Sequence, residues 1–193
     1  MAPWIFSDDS AARIVLISLM ACLYAGSVVI SNHLLFPWAE DEPFRYWFHP
    51  AAGARLLLIM LFGIPAVIAV GVGSAAIYIS PIVPQVDEYG PALLLGFSES
   101  FGLFLVLVIY GKLTRMKFPW SGITWQHIPF IAIFANLGVS LLSNLCRIIL
   151  DISDPLTFQR DVSLTLTGDI LGSIFFLFLL FFIRKSYLAY TRT

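Results

Sequence analysis

The chain has 193 residues, of which 59% are hydrophobic and 12% charged, with a formal net charge of -1. About a quarter of the residues of a soluble domain are charged, so this composition excludes a water-soluble fold. The lack of a basic excess argues against a nucleic-acid partner. Cys22 and Cys146 lie in apolar runs and indicate neither a disulfide framework nor a metal site. We therefore expect one integral membrane domain in contact with the lipid bilayer.

Apolar runs of about 20 residues predict membrane-spanning helices. The stretch over residues 51–80 is interrupted by Gly63-Ile64-Pro65, and such a sequence can break a helix. We read this stretch as two short helices; one kinked, tilted helix is the alternative. The predicted fold class is an all-α, polytopic membrane helical bundle with about six transmembrane helices, or five if residues 51–80 form one kinked helix. The predicted spans are residues 14–36, 51–62, 65–80, 91–110, 128–150 and 164–183.

The charges outside the spans predict an orientation, because basic residues favour the cytoplasmic side. Six spans then place both termini in the cytoplasm. Tryptophan and tyrosine at the predicted span boundaries are typical of a membrane interface. The basic group is Arg13, Lys112, Arg115, Lys117, Arg184, Lys185 and Arg192. The acidic loops expected outside hold Glu40–Glu42, Asp87-Glu88 and Asp151–Asp161. The boundary aromatics are Trp4, Trp38, Trp47, Trp120, Trp125 and Tyr187.

Ionisable residues fall within the predicted spans, all in what would be the outer half of the bilayer: Arg55, Glu99, Arg147 and Asp169. Each costs about 3 kcal/mol to insert at mid-membrane, so we expect them to face the bundle interior. Arginine suits an anionic group through bidentate hydrogen bonds. The candidate ligand-binding residues are therefore Arg55, Glu99, Asn144, Arg147 and Asp169, with a small anion as the ligand. The alternative is that these charges pair only with one another and fix helix register.

Three predicted spans carry a face of small and polar residues at helical spacing, and such faces point toward other helices. In the first span this face contains Ser18, Cys22, Ala25, Gly26, Asn32 and His33. In the fifth it contains Asn136, Ser140, Ser143, Asn144 and Arg147. In the last it contains Thr165, Gly168, Asp169, Gly172 and Ser173.

The motifs of nucleotide, hydrolase and metalloprotease sites are absent in a usable context. The histidines are not spaced as metal ligands, although His33 and His49 could both lie at the outer surface. We expect neither an enzyme nor a metal site, and the sequence identifies no cofactor.

Several segments follow one another as in a known family. They are residues 49–58 (HPAAGARLLL) with Leu61-Phe62-Gly63, residues 97–101 (FSESF), the basic turn 112–117 and residues 167–172 (TGDILG). Together, over about residues 45–185, they resemble the first class of bacterial MASE-type membrane-associated sensor domains, which precede histidine kinases and diguanylate cyclases. The chain departs from the family in a reduced aromatic-proline element, here Ile64-Pro65, and in having no kinase or cyclase after residue 185.

The resemblance implies a bacterial inner-membrane sensory module, and without an output domain its signal would pass to a partner membrane protein. Two other functions fit the same sequence. One is an accessory subunit of a larger membrane complex, which the small residues Ala66, Ala69 and Gly73 would help to pack. The other is a component of a small-molecule transporter.

Overall fold

The structure is a computed structural model that describes residues 10–42, 45–80, 86–115 and 127–190. The described chain is almost entirely helical, as predicted, with one two-stranded antiparallel hairpin between the first two helices. The helices are α1 (Ser10–Val28), α2 (Ala51–Phe62), α3 (Ile64–Ile79), α4 (Tyr89–Thr114), α5 (His127–Ile149) and α6 (Phe158–Tyr190). A π-helical segment, Val29–Leu35, extends α1, and short 3-10 turns occupy Pro37–Ala39 and Pro155–Thr157. The strands are β1 (Glu40–Glu42) and β2 (Arg45–Tyr46).

In the described part of the chain, four helical segments are long and apolar enough to cross a bilayer: Ser10–Leu35, Tyr89–Thr114, His127–Ile149 and Pro155–Leu179. Large aliphatic and aromatic side chains on their outward faces are exposed, as in α4, where Phe101 is 53% and Ile109 47% exposed. Apolar surfaces of this extent on helices of spanning length are typical of contact with lipid and not with water. The protein is therefore a multi-pass membrane protein.

Helices α2 and α3 form a V, as the two-helix reading predicted. Gly63 separates them with φ 63° and ψ -130°, a backbone conformation that favours glycine, and Pro65 lies in the first turn of α3. Arg55, near the start of α2, and Tyr78, near the end of α3, both reach Glu99. One continuous helix would hold these two residues about 35 Å apart. The chain therefore turns back at Gly63, and α2 begins at the same end of the bundle at which α3 ends.

The helices approach one another closely where small residues meet. A Cβ at Gly73 of α3 would lie 2.9 Å from Ala21 O of α1, and one at Gly102 of α4 would lie 3.0 Å from Gly138 O of α5. A Cβ at Gly96 of α4 would overlap Gly71 O of α3. Small residues let helix backbones approach in this way in membranes. The first half of α2 is enclosed on all sides, because every residue from Ala51 to Leu56 is buried.

The bundle has two chemically different ends. One end, called the polar end, contains the end of α1, the hairpin, the start of α2 and the α5–α6 connection. The predicted acidic loops lie at this end. At the opposite end lie the start of α1, the end of α4 and the end of α6, with most of the predicted basic residues. Both termini of the described chain thus lie at one end. Of the residues on which the orientation rested, Trp4, Lys117, Trp120, Trp125 and Arg192 lie outside the described residues.

The predicted polar face of α5 is confirmed, since all its five residues are buried. The predicted face of the first span is wrong for its first half. Ser18 and Cys22 are exposed, and the buried stripe is instead Met20, Tyr24 and Val28. These larger side chains occupy the interior because they fill the space against α3, whereas an isolated hydroxyl or thiol would make few contacts there.

Candidate functional site

Arg55 is the centre of a buried charge network. Its guanidinium donates from one terminal nitrogen to Glu99 Oε2 at 3.1 Å and from the other to Asp169 Oδ2 at 2.6 Å. The side chain is 1% exposed, and Asp169 is 2% exposed. One arginine on α2 therefore links α4 to α6, two helices that begin 69 residues apart (Tyr89 and Phe158). A buried cation needs such partners, because an unpaired charge in the bilayer is costly.

Asp169 is also held by the segment that leads into α2. His49 Nδ1 lies 2.8 Å from Asp169 Oδ1, and the His49 backbone N–H donates to Gly168 O at 3.1 Å. This segment can approach α6 only because Gly168 and Gly172 lack side chains. A Cβ at Gly168 would overlap Tyr46 O, and one at Gly172 would overlap His49 O. The glycines on either side of Asp169 thus bring His49 to its carboxylate.

Glu99 is anchored by the end of α3. The Tyr78 hydroxyl donates to Glu99 Oε1, and the Ser74 hydroxyl donates to Glu99 Oε2 at 3.3 Å. Ser74 and Tyr78 are spaced four residues apart, so they lie on one helical face. With Arg55, these donors occupy both carboxylate oxygens and hold the side chain in one position.

Arg147 differs from Arg55. It is 6% exposed, and its guanidinium lies 6.0 Å from the centroid of the Tyr78 ring. In the described part of the chain, neither a carboxylate nor another hydrogen-bond acceptor is bonded to the Arg147 guanidinium, in contrast to Arg55. A cation over an aromatic face is attracted to it, but the ring leaves the five N–H donors of arginine unsatisfied.

These residues surround a cavity at the polar end, with about 40 Å³ accessible to the centre of a water molecule. A water needs about 10–15 Å³ by this measure, so the cavity holds about three waters. All six helices contribute side chains to its wall. The lining residues are Tyr24, Val28, Asn32, Tyr46, His49, Arg55, Ser74, Ile77, Tyr78, Glu99, Val139, Ser143, Arg147, Thr165 and Asp169.

Tyr46 also lines the cavity, but it belongs to strand β2 and not to a helix. Its side chain is 4% exposed, and burial raises the pKa of its phenol well above the usual range. It therefore stays neutral. Its ring lies 5.6 Å from the His49 ring, at an interplanar angle of 35°.

Toward the opposite end, an apolar cluster fills the bundle. Leu56 and Ile59 follow Arg55 on α2, and Leu103 and Leu107 follow Glu99 on α4; each is at most 2% exposed. They pack with Ile131, Ala132 and Ala135 near the start of α5. The polar cavity is thus backed by a close-packed apolar layer.

The structure brings together four of the five predicted site residues, Arg55, Glu99, Arg147 and Asp169, in the wall of one cavity. Asn144 does not line it. Its amide nitrogen instead donates to Ser140 O at 2.8 Å and to Thr165 Oγ1 at 3.4 Å, one layer behind the wall. Asn144 is therefore placed to hold α5 against α6.

The sequence reasoning missed the tyrosines Tyr24, Tyr46 and Tyr78 and the hydroxyls of Ser74 and Thr165 as parts of the site. Ser74 and Tyr78 could have been found from their helical spacing. Tyr46 could not, because the path of the hairpin gives no periodic signal. No group of three or more histidine, cysteine or acidic residues able to hold a metal occurs in the described part of the chain.

The comparisons with known proteins add no assignment: the chain matches no protein-family model, and no curated protein or solved structure is significantly similar to it.

Proposed function

We propose that this protein is a sensory, ligand-binding membrane module whose site is the polar cavity, and that it signals through, or is assembled with, a partner membrane protein. The observation that carries the proposal is that all six helices meet in the wall of this one cavity. A ligand there is enclosed by side chains from every helix. It can therefore favour one packing of the bundle over another, and a ligand shifts a conformational equilibrium only through such differential contacts.

The contacts between the family-like segments support the sensor assignment. Gly53, in the first segment, meets Ser173 and Phe176 of α6, and Gly172, in the last segment, meets His49 O. Arg55 and Asp169, one from each segment, pair directly. The residues that carry the resemblance to MASE-type sensor domains are thus packed on one another at the cavity.

The charge distribution supports an orientation in a bacterial inner membrane. We place the polar end outside and the opposite end, with Arg13, Lys112 and Arg115, in the cytoplasm. Both termini are then cytoplasmic, and the cavity faces outward. Fusing a cytoplasm-active reporter and a periplasm-active reporter to residue 193 tests this: the cytoplasmic reporter alone should be active.

A transporter component is the second candidate, because intramembrane carboxylates such as Glu99 and Asp169 can carry protons. The apolar layer behind the cavity favours a binding site over a pathway, since Leu56, Leu103 and Ile131 are each at most 1% exposed. An accessory subunit is the third candidate, supported by the exposed apolar faces. Purification in mild detergent as a lone monomer would count against that role.

The test is a search for stabilising solutes. The full chain is purified in a neutral detergent, and its thermal unfolding midpoint is measured against anionic, cationic and neutral small polar solutes. A ligand that binds only the folded state raises the midpoint with concentration. We expect one chemical class to do so, with the effect lost when a cavity residue is replaced. The absence of any stabilising solute would refute the module as a receptor of small ligands.

A further inference from the structure

The two arginines of the cavity have different hydrogen-bonding states. Both terminal nitrogens of Arg55 already donate to carboxylates. Arg147 donates to no described residue, although it is 6% exposed and lines the same cavity. A guanidinium with unsatisfied N–H groups in a membrane interior is unstable unless something supplies acceptors. The cavity is the place from which such acceptors can come.

We propose that the part of the cavity beside Arg147 binds one small monovalent anion, of the size of chloride, nitrate or formate, with the Arg147 guanidinium as its anchor. This rests on the proposed function and names the ligand class of that site. The size follows from the volume of about 40 Å³, which is room for about three waters and not for a larger metabolite.

The single negative charge follows from the charges in the wall. Arg55 and Arg147 already balance Glu99 and Asp169. One bound monovalent anion leaves a single uncompensated negative charge in the cavity. A divalent anion would leave two uncompensated negative charges in the cavity, where burying an unpaired charge is costly.

Neighbouring hydroxyls complete the site. Ser143 lies one turn before Arg147 on the same face of α5, is 3% exposed and lines the cavity. Thr165 of α6 lines the cavity as well. A planar oxyanion can accept two parallel hydrogen bonds from the guanidinium and one from a hydroxyl. A halide can use the charge but not the fork geometry.

The experiment measures the thermal unfolding midpoint of the full chain in a neutral detergent. Sodium formate, nitrate or chloride is titrated at constant ionic strength against sodium gluconate, an anion too large for the cavity. The wild type, Arg147→Gln, Arg147→Lys and Lys112→Gln are compared. Lys112 is an exposed cation at the opposite end, so its variant is the matched control for loss of positive charge.

We expect a saturating rise of several degrees with the small anions for the wild type and for Lys112→Gln, and no rise for Arg147→Gln. Arg147→Lys keeps the positive charge but lacks the paired N–H donors of the guanidinium. It should therefore need at least about tenfold more formate for the same rise in the midpoint. If Arg147→Gln does not fold, Arg147→Lys carries the test, and an unchanged formate response there would overturn the proposal. Equal responses in all four proteins would overturn it as well.

The two proposals fail differently. If a neutral or cationic solute stabilises the protein and the small anions do not, the anion site is wrong and the sensory module stands. If no solute of any class stabilises it, both are wrong.

Discussion

Replacing Arg55 with methionine should destabilise the fold much more than replacing Arg147 with methionine. Methionine keeps most of the length of the side chain and removes the charge. Arg55→Met leaves the Glu99 and Asp169 carboxylates in place without their shared cation, at side-chain exposures of 12% and 2%. Removing one partner of a buried ion pair costs about 3–5 kcal/mol.

The remaining partners limit this loss. Asp169 keeps His49 Nδ1 at 2.8 Å, and Glu99 keeps the hydroxyls of Tyr78 and Ser74. Hydrogen bonds between membrane helices contribute about 0.6 kcal/mol each on average, so they cannot replace the cation. We expect Arg55→Met to lower the free energy of unfolding by about 3 kcal/mol, near the bottom of the range for buried pairs.

Arg147→Met removes a charge that has no acceptor among the described residues. The loss of its contact with the Tyr78 ring, about 1 kcal/mol, is offset because a buried charge no longer has to be desolvated. We expect a change of at most about 1 kcal/mol, of either sign. The assay is reversible unfolding in mixed micelles of a neutral detergent and dodecyl sulfate, followed by tryptophan fluorescence. Equal losses for the two variants, or a larger loss for Arg147→Met, would refute the distinction between them.

Other predictions concern the backbone. Gly172→Ala places a Cβ on His49 O and should lower the free energy of unfolding by about 1–3 kcal/mol. The control Gly26→Ala, whose Cβ would have no atom within 4 Å, should be neutral or stabilising. Similar losses for the two variants would contradict the close approach of the His49 backbone to α6. Gly63→Ala should cost about 1–3 kcal/mol, because φ 63° with ψ -130° strains any other residue; an unchanged unfolding curve would argue against the V.

Much of the fold could be predicted from hydrophobicity alone. The apolar runs placed all six helices, and Gly63-Ile64-Pro65 located the break between α2 and α3 because glycine and proline disfavour helix continuation. The starts of the long helices were less accurate. The helix α6 begins at Phe158, six residues before the predicted span, because Gln159, Arg160 and Asp161 are polar and hydropathy cannot detect a helix that extends beyond the hydrocarbon.

The site could be predicted only in part. The cost of burying charge in lipid identified Arg55, Glu99, Arg147 and Asp169, and helical spacing put the polar face of α5 inside. The pairing could not be deduced, because each arginine had two acids available at a similar depth. The partner choice depends on the segment at Tyr46–His49, which reaches α6 only where Gly168 and Gly172 allow it. Spacing along one sequence carries no information on that approach.

The most direct test of the account is an anomalous-scattering experiment on crystals grown in a lipid phase and soaked in sodium bromide. We expect a bromide peak within hydrogen-bonding distance of the Arg147 guanidinium, inside the cavity, while Arg55 stays bonded to Glu99 and Asp169. A peak at Arg55, or a protein carboxylate bonded to Arg147 with no bromide in the cavity, would contradict it.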